Sequence, residues 1–124
     1  MTELSKKIGD MEFDGLVTDL TPPVQVRGGT IAKVTAVTIY KRGTIFGKKE
    51  DGTLSIYDGT TTPDCILCDE VVVGTDADVN VAVYSAGCFD SGKVTVAEGY
   101  TITHADIDNL RTRGIVFKAA TPAG

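Results

Sequence analysis

From position 41 onward the chain alternates apolar and polar residues in short runs, "KRGTIFGK", "LSIYDG", "DCILCDEVVVG", "VNVAVYSAGCF" and "KVTV", broken by Gly, Asp and Thr. A period of two over runs of this length predicts β-strands. Residues 43–49 and 54–57 flank Glu50-Asp51-Gly52-Thr53, a charged turn with glycine where positive φ is needed, which predicts a β-hairpin with a solvent-exposed tip. Residues 65–73 read as a strand ending at Gly74, and Val79, Val81 and Val83 alternate with Asn80 and Ala82 in the next. Val94 and Val96 begin another. Upstream, residues 30–40 are rich in β-branched side chains, with Ile31, Val34, Val37 and Ile39 as the buried positions of one or two strands.

One segment departs from this period. Thr103 is placed to cap a short helix with Asp106 three residues on, Ile107 and Leu110 share a face, and Gly114 follows Arg111 and Arg113 as a C-terminal stop. Residues 115–117 then return to the sheet. The pattern therefore predicts a mainly β fold, a β-rich α+β domain over residues 29–124 with one short C-terminal helix.

Residues 1–28 differ from the rest. Five acids and two lysines precede Pro22-Pro23, and Gly28-Gly29 closes the stretch before the sustained β pattern. This composition predicts a flexible N-terminal arm. Within it Met11 and Phe13 alternate with Glu12 and Asp14, and Leu16, Val17 and Leu20 follow Gly15, a strand-like sequence with an apolar face and no adjacent partner. Folding back onto its own body is the alternative.

The 124 residues suffice for one domain with a real core. Seventeen acids against twelve bases give a formal charge of −5, which leaves no basic surface to neutralise phosphates and argues against nucleic acid. No apolar run approaches the roughly 20 residues that cross a bilayer, and the N-terminus has no apolar core of a secretory signal, so a cytosolic site of synthesis and no membrane partner are expected. Three cysteines are an odd number and imply no disulfide framework.

Several motifs touch on chemistry without completing it. Cys65, Cys68, Cys88 and the single histidine, His104, match the ligand number of a tetrahedral zinc site, but residues three apart on an extended strand face opposite ways, so Cys65 and Cys68 are read as core. The run Gly87-Cys88-Phe89-Asp90-Ser91-Gly92-Lys93-Val94 is one residue short of a phosphate loop, with Val94 in place of the Ser or Thr that holds magnesium and a strand-like sequence where a helix should begin. Asp76-x-Asp78-x-Asn80 opens like a calcium loop and then places Val81 at the glycine position and Gly87 at the bidentate glutamate. No serine lies in a nucleophile elbow, and His104 sits in the first helical turn. No catalytic residue, metal ligand or cofactor is assigned, and an enzyme is not expected.

The order of "FDGLV", "KRGTIFGKK", "DCILCDEVVVGT", "VNVAVYSAGCFD" and "IDNLRTRGIVF" resembles the lambda-type head decoration proteins of tailed bacteriophages, over residues 13–117. Cys68 and Cys88 stand where that family more often has other small or polar residues. The resemblance implies a structural homotrimer on threefold positions of the expanded capsid, on the outer surface of the virion, stabilising it as DNA is packaged. It also implies that the N-terminal segment contacts the major capsid protein. The arm is suited to this: an extended stretch can add to an exposed sheet edge, with Glu12-Phe13-Asp14 as the docking strand and Met11, Leu16, Val17 and Leu20 as further contacts. A β-type binding module on a phage tail or fibre, recognising protein or carbohydrate, is the competing reading, disfavoured by the absence of tryptophan and the few Phe and Tyr.

Overall fold

The computed structural model describes residues 16–19 and 23–118. Within these the chain is mostly β with a single short helix. The strands are β1 (Val17–Asp19), β2 (Gln25–Ile31), β3 (Thr38–Tyr40), β4 (Ile45–Lys48), β5 (Leu54–Ile56), β6 (Thr62–Leu67), β7 (Val71–Val73), β8 (Val79–Asp90) and β9 (Ile115–Lys118), with α1 (His104–Thr112) between the last two.

Five strands close a ring. β8 runs antiparallel to β2 along residues 79–86 and antiparallel to β6 at Tyr84 and Val83; β6 pairs β4, β4 pairs β5, and β5 meets β2 in parallel at Leu54 and Ile31. Beyond Ala86, β8 exchanges these neighbours for antiparallel β1 and parallel β9. β3 and β7 form a separate antiparallel ribbon. Every ring strand contributes to one apolar cluster, with Ile31, Phe46, Leu54, Cys65, Leu67 and Val83 inside and Tyr40 and Val73 of the ribbon packed upon it. The opposite faces of β4, β6 and β8 send Ile45, Ile66 and Tyr84 into a second cluster with Leu16, Phe89, Leu110 and Ile115. The ring is thus filled within and covered on one flank by α1, β9 and the start of β1.

Local chemistry explains several of these elements. The hairpin forms as its sequence predicts, with Lys48 opposite Leu54 and Gly52 N donating to Lys49 O across the turn. Thr103 caps α1: its hydroxyl accepts from Asp106 N at 3.2 Å while the Asp106 carboxylate accepts from Thr103 N at 2.9 Å. Gly114, at φ +97°, supplies the left-handed residue that ends the helix.

Other expectations need correction. The arm boundary at residue 28 does not hold, because Gly28 and Gly29 lie inside β2 opposite Ala82 and Val81, and Val17–Asp19 already pair with β8. The glycines taken to close the arm are strand residues paired with β8. Residues 65–73 are not one strand: the chain turns at 68–69 between β6 and β7, which belong to different sheets. Val94 and Val96 open no strand. Thr95 makes an isolated bridge to Thr44, and the segment covers Ile45 and Tyr57 as a loop, with Ile45 N donating to Thr95 O and Ala97 N to Tyr57 O. Ile31 is buried and Val34 half-buried, but Val37 and Ile39 are exposed; Tyr40 takes the inward position instead, since β3 has the opposite phase to that assumed.

Two glycines test this arrangement. Gly43 has φ +95°, and a Cβ there would lie 2.6 Å from Lys93 O, whereas a Cβ at Gly28 would meet nothing within 4 Å. Gly43→Ala is expected to lower stability by about 1–3 kcal/mol. Gly28→Ala, by restricting the unfolded chain within a strand, is expected to be neutral or stabilising by up to about 1 kcal/mol. Urea denaturation of both variants measures the difference.

Candidate functional site

The C-terminal half of β8 is the platform from which the chain's N-terminal segment departs. Asp90 N donates to Leu16 O at 2.8 Å, Val17 lies opposite Phe89, and the Thr18 hydroxyl is 3.3 Å from Cys88 Sγ. β9 occupies the other edge, with Val116 opposite Cys88 and Phe117 opposite Phe89. Leu16 is 2% exposed, in the cluster with Tyr84 and Phe89, and Val17 is half-buried against that cluster. Of the seven residues read as capsid contacts, these two therefore pack on the protein's own body, which corrects their assignment to a free arm. Met11, Glu12, Phe13, Asp14 and Leu20 lie outside the described residues.

Behind this platform two polar clusters fasten the covering layer to the ring, and a third ties ring segments to one another. Asp64 is the extra residue of a β-bulge: Phe46 and Gly47 of β4 oppose Cys65 and Pro63 of β6. The bulge aims its carboxylate inward, 5% exposed, where Arg27 of β2 donates to one oxygen and Arg113, at the end of α1, to the other at 3.2 Å. The two arginine side chains are 40% and 41% exposed, so both reach in from solvent. The second cluster centres on Asp106, buried in the first turn of α1, which accepts from the hydroxyls of Tyr57 and Tyr100 as well as from Thr103 N. The tyrosine rings meet edge to face at 5.5 Å. In the third, Arg42 donates to Cys68 O at 2.8 Å and Tyr84 OH at 2.6 Å, with its guanidinium 5.5 Å from the Tyr84 ring centroid.

The residues considered for chemistry are dispersed. Cys65 packs inside the ring and Cys68 on its covered flank, as the geometry of an extended strand requires. Burial, reinforced by the charge of Asp64, pushes the Cys65 thiol well above its ordinary range, so it is no thiolate at neutral pH. All three cysteines are buried and unbridged, and His104 is exposed at the first turn of α1. Among the described residues no group of three His, Cys, Asp or Glu could hold a metal ion. Residues 87–90 of the phosphate-loop-like run are strand, and Asp90 accepts from Gly92 N in the turn that follows. Asp78 accepts from Lys33 N at 2.9 Å. The described surface offers contacts and anchors, with no assembled nucleophile and base.

Sequence reasoning missed Asp64 and its two arginines. The one available signal was a carboxylate between Pro63 and Cys65 in an otherwise apolar strand; its partners lie 37 and 49 residues away, a distance no local pattern spans. The Thr103 and Asp106 cap was legible, but not the tyrosines that share its carboxylate. No family model matches the chain, and a comparison with curated proteins finds no match.

Two predictions follow from the anchors. Arg27→Ala and Arg113→Ala are each expected to cost about 1 kcal/mol, because the other guanidinium remains and both are partly exposed. The double variant should lose more than their sum, approaching about 3–5 kcal/mol, since it strips a buried carboxylate of both partners; a double-mutant cycle in urea reads the coupling. The second concerns pH. Burial alone would raise the Asp106 carboxyl, yet the bonds from Tyr100, Tyr57 and Thr103 outweigh it and hold it below the usual carboxylate range. Its contribution is present above the unfolded value of about 3.9 and lost as pH falls through the lower folded value. Burial and the bond to Asp106 raise the Tyr57 phenol, and the Asp106 bond raises Tyr100, so their contribution holds below about 10 and disappears as pH climbs through the folded values. Denaturation midpoints across pH should fall at both ends, and Asp106→Asn should remove its share of the acid limb.

Proposed function

We propose that this chain is a structural head decoration protein of a tailed bacteriophage, with no catalytic step. In this reading three copies bind a threefold position on the outer surface of the expanded capsid, after assembly in the host cytoplasm, and hold it against internal DNA pressure. The partners are the major capsid protein and the chain itself, with neither nucleic acid nor membrane involved.

The observation that carries the reading is the tether. Leu16 is locked in the core and Val17–Asp19 are paired to β8, so the segment before Leu16, with Met11 and Phe13 alternating against Glu12 and Asp14, is attached to a fixed point on the folded body. An extended segment of that kind can add as a strand to a sheet edge on another protein, with main-chain bonds for affinity and alternate side chains for selection. Fully extended, residues 1–15 reach roughly 50–54 Å, which spans neighbouring subunits of a shell. Three tethers on one trimer act at high effective concentration, so avidity can exceed single-tether affinity by about 10²–10⁴. The order of strand motifs that resembles the lambda-type family supports the same conclusion.

Deleting residues 1–15 is expected to leave the melting temperature unchanged and to abolish binding to expanded capsids in a co-sedimentation assay, and Phe13→Asp should do nearly as much. Undiminished binding by the truncated protein rejects the tether mechanism. Deleting residues 1–20 should in addition destabilise the body, because removing the buried Leu16 side chain alone costs about 2–5 kcal/mol.

A further inference from the structure

The β3–β7 ribbon has two unlike faces. Tyr40 and Val73 point into the ring, 7% and 0% exposed, while Ile39 and Val72 lie directly opposite each other on the outer face at 57% and 56%, with Val37 at 67% beside them. Single exposed aliphatics are ordinary, but here three of the four large exposed hydrophobics among the described residues gather on one small ribbon. Extending the register one pair beyond Tyr40 and Val71 sets Lys41 across from Glu70, both exposed and on the side of Ile39 and Val72. The outer face therefore has an aliphatic centre and, at one end, one positive and one negative side chain abreast.

We propose that this face is where copies of the chain meet. Val37, Ile39 and Val72 of each copy converge on the symmetry axis, and Lys41 of one copy faces Glu70 of the next. The choice of a second copy as occupant rests on charge. At a formal −5 two copies repel, so self-association is favoured where charge cancels locally, and this face carries both signs in equal number. A uniformly acidic or basic partner, or an anionic membrane, would leave one of the two charges opposed. Because the two charges sit on neighbouring strands, a head-to-tail Lys41-to-Glu70 contact can close into a ring. The aliphatic centre supplies affinity, and the exposed ion pairs set register. The choice of face stands independently, and the number of copies rests on the decoration reading. The ribbon packs with Ile31, the partner of Val79 at the start of β8, whereas the tether leaves beside Asp90 at its end, up to about 36 Å away along a straight strand. Copies would thus be joined at one end of the body and tethers released at the other.

Sedimentation equilibrium of the full-length protein, in a concentration series up to its solubility limit, tests this. The wild type is expected to reach three times 13.1 kDa. The double variant Ile39→Asp with Val72→Asp should stay single at every concentration while still unfolding cooperatively as a folded monomer, without the concentration-dependent gain in melting temperature that association gives the wild type. Lys41→Glu and Glu70→Lys should each weaken association about tenfold or more, and combining them should restore it. These two positions are exposed, so the charge swap reports on the interface even where the apolar pair proves important for folding. A trimer indifferent to every one of these substitutions, or a swap that fails to restore association, overturns the ribbon interface and leaves the decoration reading standing. A wild type that remains single throughout overturns the interface together with the threefold assembly. A lower melting temperature in the apolar double variant at unchanged mass assigns the face to the chain's own terminal residues and also overturns the proposal.

Discussion

The whole architecture hangs on the hydrogen-bonding capacity of β8. Its twelve residues are bonded first between β2 and β6 and then between β1 and β9, so one strand satisfies the backbone of four others. A strand flanked on both edges and covered on both faces must be apolar at successive positions, and from Val83 to Phe89 it presents Val83 to the ring interior and Tyr84 and Phe89 to the covered flank. The same demand falls on β4 and β6, where Ile45 and Phe46, or Ile66 and Leu67, turn to opposite clusters. Two cores share one wall, and neither could be removed without exposing the back of the other.

Such a wall leaves the ring and its covering layer dependent on polar contacts at a few points. Asp64, Asp106 and Arg42 supply them, each joining segments far apart in the chain: β2 and the end of α1 through Asp64, the loop before α1 and the residue after β5 through Asp106, and the start of β4 with β8 through Arg42. Each charge is matched by donors or acceptors of the right kind, so burial does not leave it uncompensated. The bulge at Asp64 shows how the sheet accommodates this: an extra residue in β6 re-aims a side chain that a regular strand would have pointed elsewhere.

The proposed role uses this construction directly. A decoration protein needs a body that does not yield when its tether is pulled, and anchoring that tether through a buried leucine and a paired strand transmits load into the sheet. The apolar outer face of the ribbon lies away from that anchor, so joining copies and gripping a shell need not compete for the same surface.

How much of this was legible in the sequence follows from the range of the forces involved. The hairpin at residues 45–56, the capped helix with its glycine stop, the alternation of Val79, Val81 and Val83, and the opposed facing of Cys65 and Cys68 are consequences of local geometry, and the chain alone determined them. The sequence also determined the acidic balance and the alternating segment before Leu16. What it could not contain was partnership over distance. Gly28 and Gly29 looked like the end of an arm until β8 bonded them, Val37 and Ile39 looked buried until β7 set the phase of β3, and Leu16 looked free until it met Phe89. In each case the residue's own preference was weak and a neighbour dozens of positions away decided the outcome, which only the closed ring brings within reach.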